Sequence, residues 1–119
     1  MRILPAIVVA LGLAFAATGA GAQGAAFLSA YEDLPLAPGL TEVAGAGLSF
    51  DTPQGRIVEA MARSGAKAAD ILSFYAETLP QLGWSKAGDA RYRRDAELLT
   101  IEARPDGRQT LVHFTISPE

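Results

Sequence analysis

The 119-residue chain has no cysteine, one histidine and one tryptophan. Each scarcity closes off chemistry. Without cysteine there is no disulfide, no thiolate nucleophile and no thiol to accept a lipid anchor. With His113 as the only imidazole, the ligand spacings that mark zinc sites cannot be assembled, and no metal or other cofactor is expected. There is no basic excess either. Ten basic and 13 acidic residues give a formal charge of −3, and nucleic-acid partners usually need a clearly basic domain.

What is present begins with a leader. Arg2 precedes an uncharged apolar run over residues 3–17, and Ala20, Gly21 and Ala22 put small residues at the −3 and −1 positions of a cleavage site. This is the pattern of a secretory signal peptide cut after Ala22, which implies a periplasmic or secreted protein. The run is shorter than the roughly 20 apolar residues of a spanning helix and carries Pro5, so no stable membrane insertion is expected after cleavage. The mature chain of 97 residues would keep nine basic and 13 acidic groups, a formal charge of −4. A domain of that size buries only about 60–65% of the surface its unfolded chain exposes. Its stability must come from packing alone.

Residues 23–46 show neither helical nor strand periodicity, and Pro35 and Pro38 bias their neighbours toward extended conformations. Phe27, Leu28, Tyr31, Leu34, Leu36 and Leu40 are nevertheless too many apolar groups for a solvated linker. The segment reads as an extended strap that docks on the domain or on a partner.

The domain itself, residues 47–119, reads as ββα followed by further strands. GLSF and GRIVEAMARS flank a loop over residues 51–55 with Pro53 and Gly55 as turn formers. Facing Phe50 against Arg56 puts Leu48, Phe50, Val58, Ala60 and Ala62 on one face, and Ile57, Glu59, Met61 and Arg63 on the other. The small Ala60 and Ala62 would let a helix approach closely. That helix is expected over residues 67–82, with Ala68, Ile71, Leu72, Tyr75, Leu79 and Leu82 as an apolar stripe and Phe74 at its edge. Asp70 lies in its first turn, favoured by the positive end of the dipole. Gly83 is placed to end it in the left-handed conformation, with Trp84 folded back on Leu79. Pro80 cannot donate to the carbonyl of Ala76 and should loosen the last turn.

Strands are expected over residues 84–87, 90–94, 98–104 and 109–117, with turns at Gly88 and Asp89, at Asp95 and Ala96, and in PDGR. Pairing Arg104 with Gln109 gathers Leu99, Ile101 and Ala103 with Thr110, Val112 and Phe114. The clean alternation implies an antiparallel sheet with one buried face. The fold class is α+β: a two-layer domain, an antiparallel sheet of about five strands with one helix packed on one face.

The search for a catalytic constellation finds little. A nucleophile needs a base within reach, and His113, drawn opposite Thr100 and diagonal to Glu102, lies on the outward face of a strand with no pocket implied. Glu59, Glu97 and Glu102 would have to supply any carboxylate pair, in a domain with little room for a cleft. Arg91, Arg93 and Arg94 surround Tyr92, but alternation splits them between two faces, and charge suits a solvated edge strand. No catalytic residue is assigned, and the chain does not read as an enzyme.

The face opposite the helix is more informative. Ile57, Met61, Leu98 and Leu111, with His113, form a candidate partner-binding surface, because several large apolar groups on a nominally solvated face ask for a cover, either the strap around residues 27–40 or a partner protein. The alternative is a lipid or hydrophobic-ligand pocket between helix and sheet, lined by Phe74, Tyr75, Trp84 and Phe114.

YEDLPLAPGL, GRIVEA, FYAETLPQLGW, LLTIEA and VHFTISP together resemble a group of small exported proteobacterial proteins, over residues 31–118. More distantly the arrangement is similar to helix-grip periplasmic lipoprotein modules, from which it departs by lacking a lipidation cysteine. The resemblance implies a non-catalytic envelope module, and it transfers no functional residue; an envelope protein is the expected partner of the outer sheet face.

Overall fold

A computed structural model describes residues 26–119; the leader and its cleavage site at Ala22 lie outside the described residues. Among the described residues, seven strands and one α-helix follow in order. They are β1 (Thr41–Glu42), β2 (Leu48–Thr52), β3 (Gly55–Ser64), α1 (Ala68–Thr78), β4 (Ser85–Gly88), β5 (Arg91–Arg94), β6 (Glu97–Asp106) and β7 (Gln109–Pro118). All strand pairs are antiparallel, in the order β1–β3–β7–β6–β5–β4, and β2 also pairs with β3. Because β7 takes one edge of β3, β1 and β2 share the other. The class is α+β, but the sheet has seven strands rather than about five. The strand that the sequence did not announce is β1, whose two residues are too few to show alternation; β4 is the strand expected over residues 84–87.

Two hairpins differ from the sequence reading, with opposite consequences. In β6–β7, Arg104 pairs with Leu111 and Asp106 with Gln109, so only Gly107 and Arg108 form the turn. That is a two-residue shift, and it leaves every side chain on its expected face. In β2–β3, Phe50 pairs with Ile57 and Leu48 with Glu59. This is a one-residue shift, and it turns Leu48 and Phe50 from the core to the outer face. The cause is Thr52. Its hydroxyl accepts from the amides of Gln54 and Gly55 and donates to the Gly55 carbonyl, closing a loop of only Pro53 and Gln54.

Between β3 and α1, the hydroxyls of Ser64 and Thr110 secure the turn. Ser64 Oγ accepts from Ala66 N, and Thr110 Oγ1 donates to Ala66 O. The α-helix stops at Thr78, and Leu79–Leu82 continue as a 3₁₀ turn, the tightening expected where Pro80 cannot donate. Gly83 has φ 95° and ψ 3°. Trp84 N donates to Leu79 O and Gly83 N to Pro80 O, which together make a Schellman cap. Leu82 is exposed rather than part of the buried stripe, and Trp84 closes the core at this end.

The core lies on one side of the sheet. Val58, Ala60 and Ala62 from β3, Val112, Phe114 and Ile116 from β7, and Leu99 and Ile101 from β6 meet Ile71, Tyr75 and Leu79. The helix packs chiefly over β6 rather than β3. The strap fills the remaining part of this layer: Leu28, Tyr31, Leu34, Ala37 and Leu40 all join the core. It is not one extended ribbon. Residues 26–36 close on themselves through Leu28 N to Leu34 O, Leu36 N to Ala26 O and a bridge between Phe27 and Pro35. The buried strap leucines, Leu28, Leu34 and Leu40, each contribute about 1.5–3 kcal/mol, which offsets the cost of ordering an otherwise aperiodic segment.

Candidate functional site: the outer face of the sheet

Alternation along three long strands builds this face. Ile57, Glu59, Met61 and Arg63 come from β3; Leu111, His113 and Thr115 from β7; Leu98, Thr100, Glu102 and Arg104 from β6. All five expected partner-binding residues, Ile57, Met61, Leu98, Leu111 and His113, therefore lie on it, and all are half-buried. Met61 stands directly opposite His113, and Leu111 opposite both Arg63 and Arg104. The one-residue shift adds Leu48 and Phe50, which are 44% and 50% exposed. Sequence reasoning missed these two because it placed them in the core.

Charged groups on this face neutralise one another. Arg63 pairs with Asp106 at 2.9 Å, and Arg104 with Glu102 at 3.2 Å. His113 Nε2 lies 3.4 Å from Glu59 Oε1, and it is opposite Glu102 rather than Thr100. Its grouping is therefore with two carboxylates, not with a hydroxyl nucleophile. Among the described residues, no three His, Asp or Glu side chains are arranged to hold a metal ion.

The opposite layer accounts for the other candidate set. Tyr75, Trp84 and Phe114 are almost fully buried. The Tyr75 ring meets Phe114 edge-on at 5.5 Å and Phe74 at 5.0 Å. These rings fill the core. Only half-buried Phe74 borders open space, an apolar crevice of about 210 Å³ shared with Pro38, Ala66 and Ile71, smaller than the roughly 300 Å³ at which small-molecule pockets begin. The Trp84 Nε1–H is buried without a hydrogen-bond partner.

The strap is latched to this layer at two points. Tyr75 Oη donates to Pro35 O at 2.7 Å and accepts from Ala37 N at 3.1 Å. Tyr31 Oη donates to Glu97 Oε1 at 2.7 Å and accepts from Arg94 Nη2 at 2.8 Å. Arg94 also stacks on the Trp84 ring at 4.6 Å and donates to Leu82 O. The arginine cluster is thus divided as alternation requires: Arg94 turns inward, while Arg93 pairs with Glu119 on the surface. The edge strand is β4 rather than β5. Burial pushes the Tyr31 and Tyr75 hydroxyls above their ordinary value near 10, and for Tyr31 the hydrogen bond to Glu97 adds to it.

Set against protein-family models, curated proteins and solved structures, the chain matches none. Function must therefore be argued from the faces themselves. The helix and the strap lie on one side, and no described element packs across the other. No described helix is long and apolar enough to cross a membrane.

Proposed function

We propose that this chain is exported by its N-terminal leader and serves in the cell envelope as a non-catalytic accessory module. It binds an envelope protein on the outer face of its sheet. The observation that carries this reading is the location of the strap. Two covers were available for the outer face, the strap and a partner, and the strap is committed to the helix side. Leu48, Phe50, Ile57, Met61, Leu98 and Leu111 are left without a cover from the described chain. Charge pairs interleave with these apolar groups, the mixture expected of a non-obligate interface rather than a buried core.

The test is cross-linking in intact cells of the native host, comparing the wild-type protein with Met61→Glu combined with Leu111→Glu. Both positions lie on the outer face and outside the core, so the double variant should keep its unfolding free energy within about 1 kcal/mol, about 0.5 for each substitution. It should lose the envelope protein cross-linked to the wild type, whereas Glu77→Lys on the exposed side of the helix, in the opposite layer, should keep it. Retention of the partner by the double variant overturns the reading. Recovery of the protein from the cytoplasm with residues 1–22 attached overturns the export part.

A further inference from the structure

We propose that the free edge of β2 pairs antiparallel with β2 of a second copy of this chain, about a two-fold axis at Phe50. The sheet has two lateral edges, and they are built differently. β4 is four residues long, carries Lys86 and has an irregular register between Lys86 and Gly88. These are the devices that keep edges from pairing. β2 has neither the lysine nor the irregular register, and its one charge is Asp51. Its five residues run in unbroken register with β3, contain no lysine or proline, and make no backbone hydrogen bond to any other described element. Its other edge therefore presents unpaired amide and carbonyl groups beside two exposed apolar side chains, Leu48 and Phe50.

The sequence LSFDT is complementary to itself in this arrangement. An axis at Phe50 is the register that pairs all five residues of each copy. On the outer face Phe50 meets Phe50 of the second copy, and Leu48 meets Thr52, contacts of the kind that stabilise cross-strand pairs. On the other face Ser49 meets Asp51. The single charge on each strand thus falls opposite a hydroxyl and within its own chain stands opposite Arg56, so no like charges oppose. An axis at Asp51 would set the two carboxylates against each other. This self-complementary pairing, which sets no like charges against each other, favours a second copy over an arbitrary peptide strand. The axis is perpendicular to the sheet, so both outer faces point the same way and join into one surface. A five-residue strand buries less than the ~1,200 Å² of a standard interface, so the dimer is weak and concentration-dependent.

The inference stands on the edge and not on the partner-binding reading, and its test separates the two. Protein purified from cells expressing the full chain is followed by sedimentation velocity over a concentration series. The absence of native cysteine lets single introduced thiols report proximity. The expected result is a monomer–dimer equilibrium that Phe50→Lys abolishes, because it sets two ammonium groups against each other on the axis. Mild oxidation of Phe50→Cys should give a covalent dimer, and Ala87→Cys on the β4 edge should not. The combined Met61→Glu and Leu111→Glu variant should still dimerise. A monomer at every concentration, a dimer unaffected by Phe50→Lys, or equal cross-linking through Ala87→Cys overturns the proposal. Cross-linking of Phe50→Cys in cells only to a different polypeptide overturns it as well and assigns the edge to a foreign strand.

Discussion

Replacing Tyr75 by Phe isolates the contribution of the strap latch, because the ring stays and only the hydroxyl goes. The ring is fully buried, with Phe74 and Phe114 edge-on against it, so Tyr75→Phe leaves the helix-side packing unchanged. What it removes is one hydrogen bond to Pro35 O and one from Ala37 N. Ala37 is 4% exposed, so its amide has no access to water while the strap is docked. Pro35 is half-buried, and its carbonyl recovers part of its solvation. Leaving a buried polar group unpaired costs about 1–3 kcal/mol. Taking the middle of that range for the amide and less for the carbonyl gives a destabilisation of about 2 kcal/mol. With a urea m-value of roughly 1–3 kcal/mol/M for a small domain, the midpoint should fall by roughly 1 M. Trp84, the sole tryptophan, reports the transition by its fluorescence. The slope should be unchanged, and the Ala37 amide should exchange with solvent faster than in the wild type. A midpoint shift worth less than about 0.5 kcal/mol, with Ala37 still protected, would refute the view that the strap is held from the helix side.

Two further outcomes follow from the cap and the tyrosines. Gly83→Ala should cost about 1 kcal/mol, the penalty of a left-handed Ala; the added Cβ would meet only the Arg94 side chain, Cδ at an ordinary 3.4 Å and Cγ at 3.9 Å, so an unchanged urea midpoint would mean the positive φ carries no strain. All three tyrosines of the chain are buried, and burial raises each hydroxyl above its ordinary value near 10. A raised folded-state value means stability that is complete below pH 10 and lost as the pH climbs beyond it. Phenolate absorbance should therefore show no tyrosine titrating normally near pH 10 and should rise together with loss of Trp84 fluorescence structure. A normal titration with the fold intact would contradict the burial of these rings.

Much of the fold was legible because period and parity are robust. The alternation in LLTIEAR and QTLVHFTIS assigned every core residue of β6 and β7 correctly, although the pairing was displaced by two positions. The stripe through Ile71, Tyr75 and Leu79 found the buried side of the helix, and Pro80, Gly83 and Trp84 found its exit. The path of the strap was not legible, since an aperiodic segment carries no signal of where it docks. One clue was present. A tyrosine in the middle of an apolar helical stripe needs a partner for its hydroxyl, and no polar group of the expected inner sheet face other than Thr110 could supply one. The strap, with its free backbone groups around Pro35, was the remaining source.

The hairpin between β2 and β3 matters more for function than its size suggests. Pro53 and Gly55 announce a turn, but they do not say whether Asp51 and Thr52 belong to it. That choice rests on one hydroxyl, since Thr52 can either solvate a loop of five residues or bond across a loop of two. The structure takes the second option, and parity does the rest: Leu48 and Phe50, counted as core from the sequence, become the most exposed apolar groups of the outer sheet face and its edge. The core loses nothing by this, since the strap leucines fill the helix-side layer. The two departures from the sequence reading are therefore one rearrangement. The strap takes the inner side, and β2 turns its apolar side chains outward, next to Ile57 and Met61.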